Sequence, residues 1–179
     1  FVDREDPVLT QKVDAVKKLT KKQKKEIKDM KKLLEETPTA AAISANQLGI
    51  DDLRAFVCRN NDEILGLIIT KITWSSIDNP AEIIQSNGGV VPKSVPMWEG
   101  CMSFPGHNYL ITRPYAIKVE YMNEKEVYKS ATLTDQWARL FCHEIDHLNG
   151  IRVEDRAEEV LEMDEENDNA NFLPTSKVT

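Results

Sequence analysis

TDQWARLFCHEIDHLNG, residues 134–150, decides how the rest of the chain is read. The stretch predicts one helix. Thr134 can serve as its N-cap, Asp135 puts an acid in the first turn, and Asn149-Gly150 is a C-terminal stop. The apolar residues Trp137, Leu140, Phe141, Ile145 and Leu148 point several ways, the pattern of a helix buried on most sides. Into it the chain sets His143, Glu144, Asp146 and His147. Polar groups in such a helix are costly unless each finds a partner. His143 and His147 are four residues apart, so both imidazoles leave one face about 5–6 Å apart. With Glu144 beside them as a base, this H-E-x-x-H has the bite of a divalent metal. The same four-residue pattern also arises by chance, but a chance copy falls more often on an exposed helix.

Working outward, 179 residues suffice for one domain with a real core. A hydrophobic fraction of 41% and a charged fraction of 30% are ordinary for a globular protein. The net charge of −7 argues against nucleic acid as the main partner. No run of eighteen apolar residues offers a membrane span, and no signal peptide is visible at the start. Phe1 in place of methionine implies a trimmed or processed N-terminus. Cys58, Cys101 and Cys142 are an odd, small set, which suits a reducing compartment and gives no disulfide framework.

Upstream of the helix, residues 1–19 look irregular. Thr20-Lys21-Lys22-Gln23 is a capping-box pattern that opens a helix to about Glu36, ended by Thr37-Pro38. Its lysines form a solvated face, or a contact for an anionic partner such as a ribosome. Residues 39–50 are small and then polar, a tight turn or a close backbone approach, with Gln47 supplying both donor and acceptor. Residues 53–58 and 63–77 read as strands joined by Asn60-Asn61-Asp62, and Asp78-Asn79-Pro80 breaks the second. Residues 85–96 read as loop, with Gly88-Gly89 and two prolines. Residues 115–121 alternate cleanly and pair with 126–133 as a hairpin. After Gly150, residues 151–163 read as a short helix or an extended segment. Residues 164–179 read as a mobile acidic tail.

Cys101 falls within Glu99-Gly100-Cys101-Met102-Ser103. A free cysteine is often just a small buried hydrophobe, but the helix motif needs a third ligand. AAAISANQ (40–47), EGCMS (99–103) and HEIDHLNG (143–150) then stand in order. With these three stretches the chain resembles the peptide deformylase family, whose motifs have the forms G-Φ-G-Φ-A-A-x-Q, E-G-C-Φ-S and H-E-x-x-D/H. The second and third match in full. In the first, alanine replaces both glycines at Ala40 and Ala42, and Ser44 replaces the first alanine.

The resemblance implies an α+β fold, residues 1–179 forming one domain with antiparallel or mixed sheets packed around the central helix. It implies Cys101, His143 and His147 as ligands of one divalent metal: Fe²⁺ by family habit, with Zn²⁺, Ni²⁺ or Co²⁺ also accepted. Three protein ligands with an open position make a catalytic rather than a structural site. The implied reaction is hydrolysis of the formyl group from the N-terminal formylmethionine of nascent chains. Glu144 moves the water proton to the leaving amine, while the Gln47 amide and the Met102 backbone N–H face the oxyanion. Ile43, Met97 and Leu140 are expected as walls of a methionine pocket. The 40–45 segment is expected to pair with the peptide backbone as an added strand, with ordinary φ at Ala40 and Ala42. Glu99 and Arg113 are expected to pair and to fix the EGCMS loop. Asp146 either orients an imidazole or faces solvent. His107 is expected in an exposed loop, and Cys58 and Cys142 in the core. Such an enzyme works in the bacterial cytoplasm, in a phage-infected cell or in an organelle.

Two rival readings stand beside this one. H-E-x-x-H also marks zinc metalloproteases, whose third ligand is usually a downstream His or Glu; no histidine follows His147, though several glutamates do. The other is a catalytically impaired metal-binding relative, for which the altered first motif speaks.

Overall fold

The computed structural model of the chain describes residues 1–78 and 92–163. The helix expected from the 134–150 stretch is α2, Asp135–Leu148, and eleven of its fourteen residues are buried. Thr134 holds the N-cap position without a side-chain hydrogen bond to the helix. Asn149 is the C-cap, and Gly150 follows with φ 72°, the left-handed conformation that favours glycine.

Around α2 the chain builds two antiparallel sheets. In chain order the elements are α1 (Lys21–Glu36), β1 (Ala42–Ser44), β2 (Ala55–Asn60), β3 (Glu63–Ser75), β4 (Ser94–Gly100), β5 (His107–Pro114), β6 (Ala116–Asn123) and β7 (Tyr128–Thr134). Then come α2, α3 (Val153–Arg156) and β8 (Glu159–Glu162). The larger sheet has the order β1-β2-β3-β6-β7 and the smaller β4-β5-β8. Among the described residues every pairing is antiparallel, the first of the two arrangements expected.

Strand periodicity divides the larger sheet between two cores. On one face Ala42, Phe56, Cys58, Leu67, Ile69, Ile117 and Val119 pack against Trp137, Phe141 and Ile145 of α2. On the other, Ile43, Ala55, Val57 and Ile68 pack against Ile27, Met30 and Leu34 of α1. The apolar face of α1 is set by its start: Thr20 and Gln23 form the expected capping box, with Gln23 N donating to Thr20 Oγ1 and Thr20 N to Gln23 Oε1. Five α1 lysines (Lys22, Lys24, Lys25, Lys31 and Lys32) lie within ion-pair distance of acids. A third cluster under the smaller sheet joins Cys101, Phe104, Tyr109, Ile111 and Val153.

Three expectations are corrected. The end of the 85–96 loop is strand: Ser94–Gly100 pairs along its whole length with Asn108–Pro114. The two prolines hid this, since Pro96 sits in an edge strand, where a missing N–H is tolerated. His107 opens β5 instead of lying in a loop, because the turn closes quickly, with Phe104 N donating to Cys101 O and Gly106 at φ 75°. The segment after Gly150 forms both a helix and a strand, α3 and then β8. The Asn79-Pro80 break, the Gly88-Gly89 pair and the acidic tail at 164–179 lie outside the described residues.

Candidate active site

Three segments converge on α2. β4 runs into the smaller sheet and ends at Gly100, delivering Cys101 to the helix. Its sulfur lies 3.2 Å from His147 Nε2, which lies 3.2 Å from His143 Nε2. All three ligand atoms fall within 4.8 Å of one another. A tetrahedral ion with bonds of about 2.0–2.1 Å to nitrogen and about 2.3 Å to sulfur needs edges of about 3.3–3.6 Å, so the residues fit a metal of that kind. The electrostatics agree. Burial, with the charges at His143 and Arg113, holds the His147 imidazole well below its ordinary pKa, leaving a lone pair for a cation. Burial also depresses His143, but the Cys101 sulfur and the Glu99 carboxylate more than reverse this.

The second segment is β1 with the 3-10 turn Ala45–Leu48 after it. Ser44 N donates to Gln47 Oε1 at 2.9 Å, which turns Gln47 Nε2 toward Ser103 Oγ at 3.0 Å and Cys101 Sγ at 3.7 Å. Alternation along β1 puts Ala42 and Ser44 on the α2 face, and Ser44 Oγ lies 2.5 Å from Glu144 Oε2. Burial raises the Glu144 pKa, against the pull of His143 and of the Ser44 hydrogen bond. Gln47, Cys101, Met102, Leu140, His143 and Glu144 all line one pocket, together with Thr39–Ala42.

Behind the cluster lies a buried ionic network. Arg113 Nε and Nη2 donate to the two oxygens of Glu99, each at 3.1 Å, and Arg113 Nη1 donates to Asp146 Oδ2. Arg139 Nη1 donates to Glu99 Oε1 at 2.5 Å. Glu99 Oε2 reaches His143 Nδ1 at 2.9 Å. Burial would raise the Glu99 pKa, but His143 and Arg113 hold it well below the usual carboxylate range. Arg156 of α3 closes the far side on Asp146, at 3.0 and 3.2 Å.

Residues 1–162 match the Polypeptide deformylase family. The chain belongs to the peptide deformylase family. Peptide deformylase of Natranaerobius thermophilus is 30% identical over 161 residues, 90% of this chain and 93% of that protein. Peptide deformylase 2 of Clostridium perfringens is 43% identical over 75 residues, 42% of this chain, and that match spans about half (48%) of the relative's length. The crystal structure of peptide deformylase from Thermotoga maritima superposes with a TM-score of 0.71 at 30% identity, covering 86% of this chain and 93% of that one.

Within this deformylase fold the residues singled out from the sequence fall into three groups. Cys101, His143, Glu144, Gln47 and Met102 line the pocket, His147 is buried beside Cys101 and His143, and Glu99 and Arg113 pair next to them. Of the three expected pocket walls only Leu140 lines it. Ile43 is fully buried on the opposite face of the sheet, among the α1 side chains, because odd and even positions of β1 point apart. Met97 is half-buried on β4 and outside the pocket lining, where Ala41 and Ala42 stand instead. Asp146 neither orients an imidazole nor faces solvent; it is buried between Arg113 and Arg156. Ala40 and Ala42 have ordinary φ, since among the described non-glycine residues only Asn61, Glu126 and Asp135 have positive φ.

Sequence reasoning missed Ser44, Ser103, Arg139 and Arg156. Arg139 carried a usable signal: it sits one turn before His143 in a helix with almost no exposed side, so its charge had to have a buried acid to meet. Ser103 closes the EGCMS motif and Ser44 marks a departure from the first motif, but neither spacing says which side chain each serine meets.

Proposed function

We propose that this deformylase hydrolyses the formyl group from N-formylmethionyl peptides, releasing formate and a free α-amine. The observation that carries the proposal is the Cys101, His143 and His147 cluster, with Cys101 and His143 opening on a pocket that Glu144 and Gln47 also line. A divalent ion bound by those three ligands would supply Lewis acidity, making water nucleophilic near neutral pH. Fe²⁺ is proposed as the native ion, with Zn²⁺, Ni²⁺ and Co²⁺ as substitutes.

The chain's own groups do the rest. Glu144 takes the proton of the attacking water and delivers it to the departing amine; its burial and raised pKa suit a group that must both accept and release a proton. Gln47 Nε2 and the Met102 backbone N–H donate to the formyl oxygen as it gains charge. Gln47 comes to this already oriented, its Oε1 held by Ser44 N and its Nε2 on the Cys101 side. β1 lies at the edge of its sheet, so the 40–45 segment can accept the peptide backbone as an added strand. Ala40 and Ala42 do this without backbone strain. Leu140 and Ala42 meet the methionine side chain at the pocket.

Substrates of this kind arise where translation begins with formylmethionine: a bacterial cytoplasm, a phage-infected cell or an organelle. Among the described residues no helix is long and apolar enough to cross a membrane. A metalloprotease reading would seek its third ligand downstream of His147, and here a sulfur from upstream stands at that corner.

The test is formate release from formyl-Met-Ala-Ser, with metal content measured on the same sample. Formate in proportion to bound metal is expected. Cleavage of an internal bond in an acetyl-blocked peptide, with no formate from the formyl peptide, would overturn the reading.

A further inference from the structure

Ser44 stands where the family's first motif carries alanine, and this replacement is not silent. The residue has no solvent exposure. Its backbone N–H donates to Gln47 Oε1 at 2.9 Å, and its hydroxyl lies 2.5 Å from Glu144 Oε2 and 3.2 Å from the Glu144 carbonyl oxygen. The shorter contact is in the range of an O–H donating to an ionised carboxylate, one of the stronger hydrogen bonds in proteins. Among the described residues it is the one side-chain hydrogen bond that the Glu144 carboxylate receives. A buried glutamate with a single such bond takes its orientation from it, since apolar packing alone leaves its last torsion broad.

We propose that Ser44 is a positioning residue that locks the Glu144 carboxylate relative to the Gln47 amide. One residue then grips two of the groups the reaction uses, Gln47 through its main chain and Glu144 through its hydroxyl. Replacing Ser44 by alanine leaves the main-chain grip intact and releases only the carboxylate. The inference rests on the deformylase reading for its kinetic consequence, but not for the contact itself. The competing explanation is a serine that merely fills space beside α2.

Ser44→Ala restores the residue of the family motif, so folding is not at risk. It is compared with the wild type, Glu144→Ala and the double variant. With equal metal content, Ser44→Ala should lower kcat for formyl-Met-Ala-Ser about tenfold, the worth of about 1.4 kcal/mol, and leave KM within twofold. In the metal-free proteins, Ser44→Ala should lower Tm by about 3–5 °C when Glu144 is present and by under about 1 °C in the Glu144→Ala background, the non-additivity of a direct contact. A kcat within twofold of wild type, or a change confined to KM, overturns the proposal. So do Tm shifts that simply add, which is the result a space-filling serine gives. If the wild type itself releases no formate, the deformylase reading fails, and the metal-free cycle alone decides whether the hydroxyl holds the carboxylate.

Discussion

Glu99 Oε2 stands 2.9 Å from Nδ1 of His143, on the side of the ring away from the Cys101 sulfur. A carboxylate there fixes the tautomer and makes Nε2 the better electron donor. Glu99 is itself held by two buried guanidinium groups, Arg113 and Arg139. Glu99→Gln should therefore weaken metal binding about 10–100-fold, and, because Arg113 and Arg139 lose their shared buried carboxylate, lower Tm as well. Competition against a graded set of chelators measures this, and an unchanged affinity would show that the ring needs no such support.

Arg113→Ala is harsher. It takes one partner from each of Glu99 and Asp146, both buried, leaving Glu99 with Arg139 and His143 and Asp146 with Arg156, and the loss of one partner from a buried ionic network costs about 3–5 kcal/mol. For a chain of this length we expect Tm to fall by at least about 6 °C, together with a loss of deformylase rate. Scanning calorimetry and formate release on one preparation test both. A wild-type rate would remove Arg113 from any part in holding the site.

Glu144→Gln keeps the size and burial of the side chain and removes its basicity. Turnover should fall by about 10²–10⁴-fold with metal content unchanged. A variant that retained most of its rate would mean that another group carries the proton.

The contrast between Glu99 and Ser44 shows what was legible in the chain. The central helix and the H-E-x-x-H pair could be read because each is a local pattern, set by spacing along one element, whereas the role of the Cys101 segment followed from the resemblance of EGCMS to the family motif. The Glu99–Arg113 pair followed from the family motif. Arg139 and Arg156 join the same carboxylates from other elements, and no local spacing connects Arg113 to Arg156. Ile43 was misplaced for a related reason. The apolar residue of AAAISANQ invites assignment to the pocket, but strand parity, visible only once the edge of β1 and its partner β2 are known, turns it toward α1. β4 was lost to its prolines, because sequence alone does not distinguish an edge strand from a loop.

Two buried thiols make the protein sensitive to alkali. Burial pushes the Cys142 pKa up to about 12, with Arg113 pulling the other way, and burial raises Cys58 as well. A group whose folded pKa is raised binds its proton more tightly in the folded state. Its stability is fully present below the ordinary thiol value of about 8.5 and is lost as pH rises toward about 12. Tm should hold steady to about pH 8.5 and fall above it, more gently in Cys142→Ala than in the wild type. A decline of equal slope in both would assign the alkaline loss to other groups.

The last turn of α2 carries His147, and Arg54 holds that turn in place. Its Nη1 donates to Leu148 O at 2.7 Å and Val13 O at 3.0 Å, and its Nη2 to Asn149 Oδ1 at 2.8 Å. Leu148 O also accepts from Val13 N at 2.9 Å, so the guanidinium closes a junction between the N-terminal segment and the helix end. Burial lowers the Arg54 pKa, but an arginine remains charged, and a cation at a helix C-terminus is favourable. Arg54→Met fills the same space and leaves those acceptors short of a donor, at about 1–3 kcal/mol for each one left unsatisfied. We expect a Tm lower by at least about 4 °C and, because fraying moves His147 away from Cys101 and His143, a weaker metal affinity in the same variant. If Tm falls while affinity holds, the helix end frays without reaching His147, and the link between this junction and the metal site is broken.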